Sequence, residues 1–203
     1  MALEFPEPPK ESLVSLSEGL GRLPASSKYA FTTEAAGGGR PDISLPHQVF
    51  VLNPEQIRAG AGLDSATPTS WRYLLNQDSS GLLADSATAT AEVMDQDGAH
   101  VFSNVQHGWM ANAMRRAVGI AQKIPTVQNG AFEFRVLRIP AVRIDSIWLK
   151  NTAAAGDLLV PIRSAIPTLS AFQAYSGDDF LSKLREFLDK QEPFDNSPRL
   201  VYR

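Results

Sequence analysis

The stretch from Leu83 to Ser103 constrains this chain most, because it can hardly be anything but a hairpin. Ser86, Thr88, Thr90 and Glu92 alternate with Ala87, Ala89, Ala91 and Val93. That two-residue period gives a strand one polar and one smooth face. Asp95-Gln96-Asp97-Gly98 follows, and Asp-Gly accepts the positive φ angles of a tight turn. His100 to Ser103 then returns as the partner strand. The alanines read as the buried face, small enough for the next helix to approach closely, while Thr90 and Glu92 read as the wet face.

That next helix spans Trp109 to Ile124. Trp109, Met110, Ala113, Met114, Ala117, Val118, Ile120, Ala121 and Ile124 form a wide apolar arc around Asn112, Arg115, Arg116 and Lys123, and Trp109 with the methionines is expected in the core. Pro125 should end it. Asn129-Gly130 then turns into a strand over Phe132 to Ile139, and Ala141 to Lys150 resumes as strand after Pro140. Leu158 to Ile162 reads as a further strand whose Pro161 favours an edge. A last helix starts at Ser176, an N-cap with Asp179 near the positive end, and carries a stripe of Phe180, Leu181, Leu184, Phe187 and Leu188.

Upstream, Gln48 to Leu52 is strand-like, and Asn53-Pro54-Glu55 opens a short helix by a cap followed by proline. Thr69 to Leu75 fits strand or helix. Adjacent strands with few crossovers imply an α+β fold, with an antiparallel or mixed sheet and helices packed mainly on one face. The 203 residues suit one domain rather than two. Residues 1–46 are expected to be a weakly structured, flexible segment. They are rich in proline and glycine, with one possible short helix through Leu13, Leu16, Leu20 and Leu23. Residues 47–203 are expected to be the globular domain.

The chain contains no cysteine, which excludes disulfides, thiol nucleophiles and thiolate metal sites. Neither a signal-peptide pattern nor a membrane-length apolar run occurs, so cytoplasmic residence and no membrane contact are the expectations. A net charge of −3 argues against nucleic acid as a partner. The charge is uneven: residues 43–114 carry two basic and seven acidic side chains, whereas 115–150 carry seven basic and two acidic.

Few residues point to chemistry. His47, His100 and His107 lack metal-ligand spacing, so no metal is expected. Asp95-x-Asp97-Gly98 faintly resembles a calcium loop, but the twelfth position from Asp95 is Gln106, which lacks the required carboxylate. Phosphate-loop and nucleophile-elbow patterns are missing. No cofactor is expected. Arg135, Arg138 and Arg143 are the candidate binding residues, since planar guanidinium forks suit carboxylates and phosphates. The competing reading pairs them with the acidic hairpin region. Arg135 shares the polar phase of Glu133, whereas Arg138 falls in the apolar phase and should be partnered. The expected function is therefore a non-catalytic binding or structural module acting through protein–protein contacts. The alternative is an enzyme on an anionic small molecule. That alternative needs at least two of Asp95, Asp97, His100, His107 or the arginines to converge in a concave pocket.

Overall fold

A computed structural model describes residues 3–23, 42–76, 87–153 and 156–191. The helices are α1 (Lys10–Gly21), α2 (Pro54–Arg58), α3 (Trp109–Ala121), α4 (Pro125–Asn129) and α5 (Gly177–Asp189). The strands are β1 (Asp42–Val51), β2 (Thr67–Asn76), β3 (Ala87–Gln96), β4 (Ala99–His107), β5 (Phe132–Ile139), β6 (Ile144–Asn151), β7 (Leu158–Arg163) and β8 (Tyr175–Ser176). They form one mixed sheet in the order β4-β3-β2-β1-β5-β6-β7-β8. Among the pairs these described strands form, β1–β5 is parallel and the rest are antiparallel. Among the described residues, no helix is long and apolar enough to cross a membrane.

Local chemistry explains the element ends. Asp97 and Gly98 take φ of 53° and 81°, so β3 and β4 are joined by the tight turn that Asp-Gly predicts. The Asn53 side chain accepts from the Glu55 amide, with Pro54 at the start of α2. Ser176 caps α5 by accepting from Asp179 N at 3.2 Å. Thr69 to Leu75, which fits strand or helix in sequence, lies in strand β2 (Thr67–Asn76). Pro140 lies in a single turn of 3-10 helix that makes β5 and β6 an antiparallel pair, with Arg143 left-handed at its end. Pro125 does not stop α3 directly: α3 ends at Ala121, and the proline opens α4, where its missing N–H costs nothing.

Helices cover both sides of the sheet, so the expectation of packing mainly on one face goes beyond what the structure supports. On one face, α3 and Val127 of α4 join Val49, Leu74, Phe134, Val136, Ile147, Leu149, Val160 and Ile162. The other face carries two clusters. Leu16 of α1 covers Trp71, Tyr73, Leu75, Ala89, Ala91, Val93 and Val105. Ile57 of α2 and the α5 stripe cover Phe50, Leu137, Trp148 and Leu159. The alanine face of β3 is thus buried as expected, but under α1 and not under α3. The face carrying Thr90 and Glu92 is the one turned toward α3, and both side chains are buried.

α3 packs on β3 and β4 and also on β6 and β7. The strands between them in the strand order, β2, β1 and β5, come less close to α3 than these flanking strands do. The sheet therefore curls around α3, which lies in its concave side.

The boundary expected between residues 46 and 47 falls inside β1. Upstream, Leu3 is buried in the α3-side core. The backbone of Glu4 pairs with β5, accepting from Phe134 N and donating to Phe132 O, each at 2.8 Å. Leu16 and Ser12 are fully buried, and the Ser12 and Tyr73 hydroxyls share a hydrogen bond of 2.6 Å. Gly19 lets α1 approach β4, since a Cβ there would fall onto the Phe102 ring. The triple glycine at 37–39 lies outside the described residues, as does the start of the expected strand at Leu83.

Candidate functional site

Charged side chains run across the concave face at the centre of the sheet. His47, Arg72 and Glu92 are successive cross-strand neighbours on β1, β2 and β3. Glu92 accepts from Ser70 Oγ at 2.6 Å and from Arg72 Nη2 at 2.8 Å, and Arg138 Nη1 lies 3.8 Å from it. On β5 and β6, Arg138 and Asp145 are also directly opposite, joined from Nε to Oδ1 at 3.1 Å. Arg163 Nη2 stands 2.7 Å from Asp145 Oδ2, close enough for an ion pair though off the hydrogen-bond line. Its guanidinium lies 5.5 Å from the ring of Trp109. Trp109 is 50% exposed, so it contributes a half-open cation–π contact instead of the core packing expected of it.

His47 is completely buried. Its Nδ1 lies 2.7 Å from the carbonyl oxygen of Leu45, which requires the proton on Nδ1, and its ring meets Phe134 edge-on. Nε2 is a bare acceptor with no hydrogen-bond partner. Burial, and then the charge of Arg72, push its pKa down to about 3. Burial alone would raise the Glu92 carboxyl. The Arg72 charge and the hydrogen bonds from Ser70 and Arg72 outweigh it and hold the group below its ordinary value.

Chemically, this arrangement is a chain of ion pairs beside a neutral histidine, with His47 Nε2 and Arg72 Nη1 buried without hydrogen-bond partners. Both carboxylates are engaged by guanidinium groups, and the histidine is held neutral. A general acid or base needs an accessible proton site near the working pH, and neither Glu92 nor His47 offers one.

The three candidate arginines do not come together. Arg138 lies on the concave face and is partnered, as its apolar phase implies. Arg135 is on the opposite face, donating from Nε to Glu133 at 2.6 Å, with its guanidinium over the rings of Phe50 and Trp148 at 4.8 and 5.0 Å. Arg143 is exposed at the β5–β6 turn, with φ of 51°. Arg138 pairs with Glu92 of the acidic hairpin region and with Asp145, whereas Arg135 pairs with Glu133 of its own strand. Among the described residues no three His, Asp or Glu side chains form a metal-ligating group.

A second feature lies at the sheet edge. Among the described residues no strand pairs with the outer side of β4. This strand contains no Lys, Arg, Asp, Glu or Pro along Ala99–His107, the residues by which exposed edges are ordinarily guarded. α1 lies over β4, and two open clefts of about 390 and 330 Å³ run between them. Glu11, Val14, Ser15, Glu18 and Arg22 line them from the helix, and His100, Val101 and Phe102 from the strand. Val14 and Val101 are 57% and 41% exposed. The signal in the sequence is the uncharged nine-residue strand. Its position at the edge is a product of strand order, which no local pattern encodes. Comparison with protein-family models, curated proteins and solved structures finds nothing that matches this chain.

Proposed function

We propose that this chain is a non-catalytic binding module acting through protein–protein contacts, made along the β4 edge and the flank of α1 above it. The observation that carries this reading is the uncharged edge strand beside the exposed Val14 and Val101. Unpaired strand edges bind other chains by adding a strand, with main-chain hydrogen bonds for affinity and alternate side chains for specificity. The catalytic alternative has less to support it. Asp95, Asp97 and His100 sit at the turn end of the hairpin and His107 at the far end of β4, while Arg135 and Arg138 occupy opposite faces.

The test is site-specific photocrosslinking in the cells the protein comes from. A photoreactive phenylalanine analogue replaces Val101, and in a control it replaces the exposed Glu186 on α5. The expected result is a covalent protein adduct from position 101 that position 186 does not form. No adduct at 101, or equal adducts at both positions, would overturn the reading.

A further inference from the structure

We infer that the occupant of this edge is a second copy of the same chain, paired antiparallel through residues 99–103 about a two-fold axis at Val101; the inference rests on the protein-contact reading above.

Strand geometry restricts the register. Directly opposed residues in an antiparallel pair must lie on the same face, so self-pairing has to centre on a residue and not between two. Val101 is opposite Met94 on β3, on the concave face, and both are exposed. His100 and Phe102 belong to the other face, beneath α1. Centring on Val101 sets it against Val101 of the second copy, covering the exposed valines. The same register sets His100 against Phe102 of the second copy, an aromatic cross-strand pair of the stabilising kind. The paired stretch has natural ends. The Asp97-Gly98 turn bounds it on one side, and on the other the register shifts between Phe102 and Asn104, where Ser103 is the extra residue of a bulge.

The helices favour the same partner. A two-fold axis normal to the sheet reverses every in-plane direction, so the two α1 helices run antiparallel. The paired β4 strands stand about 4.8 Å apart. With α1 lying over β4 and β3, the helix axes come near the roughly 8–10 Å at which helices pack. Lys10 and Glu11 at one end then face Glu18 and Arg22 of the second copy, which within their own chain pair with each other at 3.0 Å, so that each sign meets its opposite across the axis. Among the described residues Lys10 and Glu11 have no ion-pair partner within the chain. The edge is thus self-complementary in register and in charge, which an unrelated partner strand would not require.

The experiment is light scattering coupled to size exclusion on the full chain, across about 1 to 100 μM, where modest interfaces dissociate. The expected mass at the upper end is twice the 22.1 kDa of the chain. Val101→Lys places two ammonium groups against each other on the axis and should leave only monomer, with an unchanged circular-dichroism spectrum because the residue is exposed in the monomer. Val101→Thr keeps the branched side chain and should keep the dimer. Glu11→Lys should weaken the dimer, and adding Arg22→Glu should restore it, a rescue that a folding defect would not show. Monomer at every concentration, or a dimer indifferent to Val101→Lys, overturns the inference. A position-101 crosslink to a different protein would overturn self-pairing while leaving the protein-contact reading standing; monomer together with no crosslink would remove both.

Discussion

Arg72 on β2 and Glu92 on β3 face each other directly across the strands and meet at 2.8 Å inside the concave side of the sheet. Removing one member of such a pair leaves a buried charge without its counter-ion. Arg72→Leu is therefore expected to cost about 3–5 kcal/mol in urea unfolding. Replacing both partners by Leu and Met should cost less than the sum of the single changes. Additive losses would mean that the two charges are not coupled.

The buried His47 makes the protein sensitive to acid. Its folded pKa of about 3 lies below the 6.5 of the exposed group. Between those values the unfolded chain binds the extra proton and stability falls with falling pH, by up to about 1.4 kcal/mol per unit. Glu92 adds a loss in the same direction only below its ordinary value of 4.5, where the unfolded carboxyl takes up its proton and the folded one resists until lower pH. The window from pH 6.5 to 4.5 thus isolates the histidine. His47→Leu should flatten the stability profile there, measured by denaturant midpoints. An unchanged slope would count against a neutral, buried ring.

Close packing of α1 gives a third expectation. Ala89 is fully buried in the cluster that holds Leu16, so Ala89→Leu overpacks it and should cost about 1–3 kcal/mol. Gly19→Ala should cost a comparable amount by driving a methyl into Phe102, and Phe102→Ala should relieve that part of the loss. A neutral Gly19→Ala would show that α1 stands farther from β4.

Removing residues 1–46 should abolish the cooperative unfolding transition. The cut takes away buried Leu3 and Leu16, uncovers Tyr73 and Ala91, and divides β1. Leu16→Ala alone should cost about 2–5 kcal/mol. A truncated chain that still melted cooperatively would show that α1 is dispensable.

The arginines separate by environment. Arg135→Gln loses a partly exposed pair with Glu133 and stacking on Trp148, and should cost about 1 kcal/mol. Arg138→Gln strips one partner from the buried Asp145 and should cost more. Thermal unfolding of both variants decides the order.

Local pattern is enough wherever a few neighbouring residues settle the backbone. Asp97-Gly98, Asn53-Pro54 and Ser176 act within one turn, and each forms the turn or cap its chemistry implies. The phase of Arg138 among Phe134 and Val136 likewise indicates a partnered charge. A period of two says which residues share a face. It does not say which helix covers that face, so the alanines of β3 read as facing α3 although α1 covers them, and Glu92 reads as wet although it is buried. His47 is equally opaque, because its burial comes from the neighbours that β2 and β5 bring to it.

Strand order lies beyond the reach of the chain's local signals. The place of β4 at an edge, the curl of the sheet around α3 and the meeting of Glu92 with Arg138 all depend on contacts between residues far apart in sequence. Their free energy appears only once the whole sheet has closed its loops. The segment before β1 shows the same division. Its prolines and glycines read as a flexible tail, yet Leu3 and Leu16 are buried because the sheet offers apolar faces that water would otherwise cover.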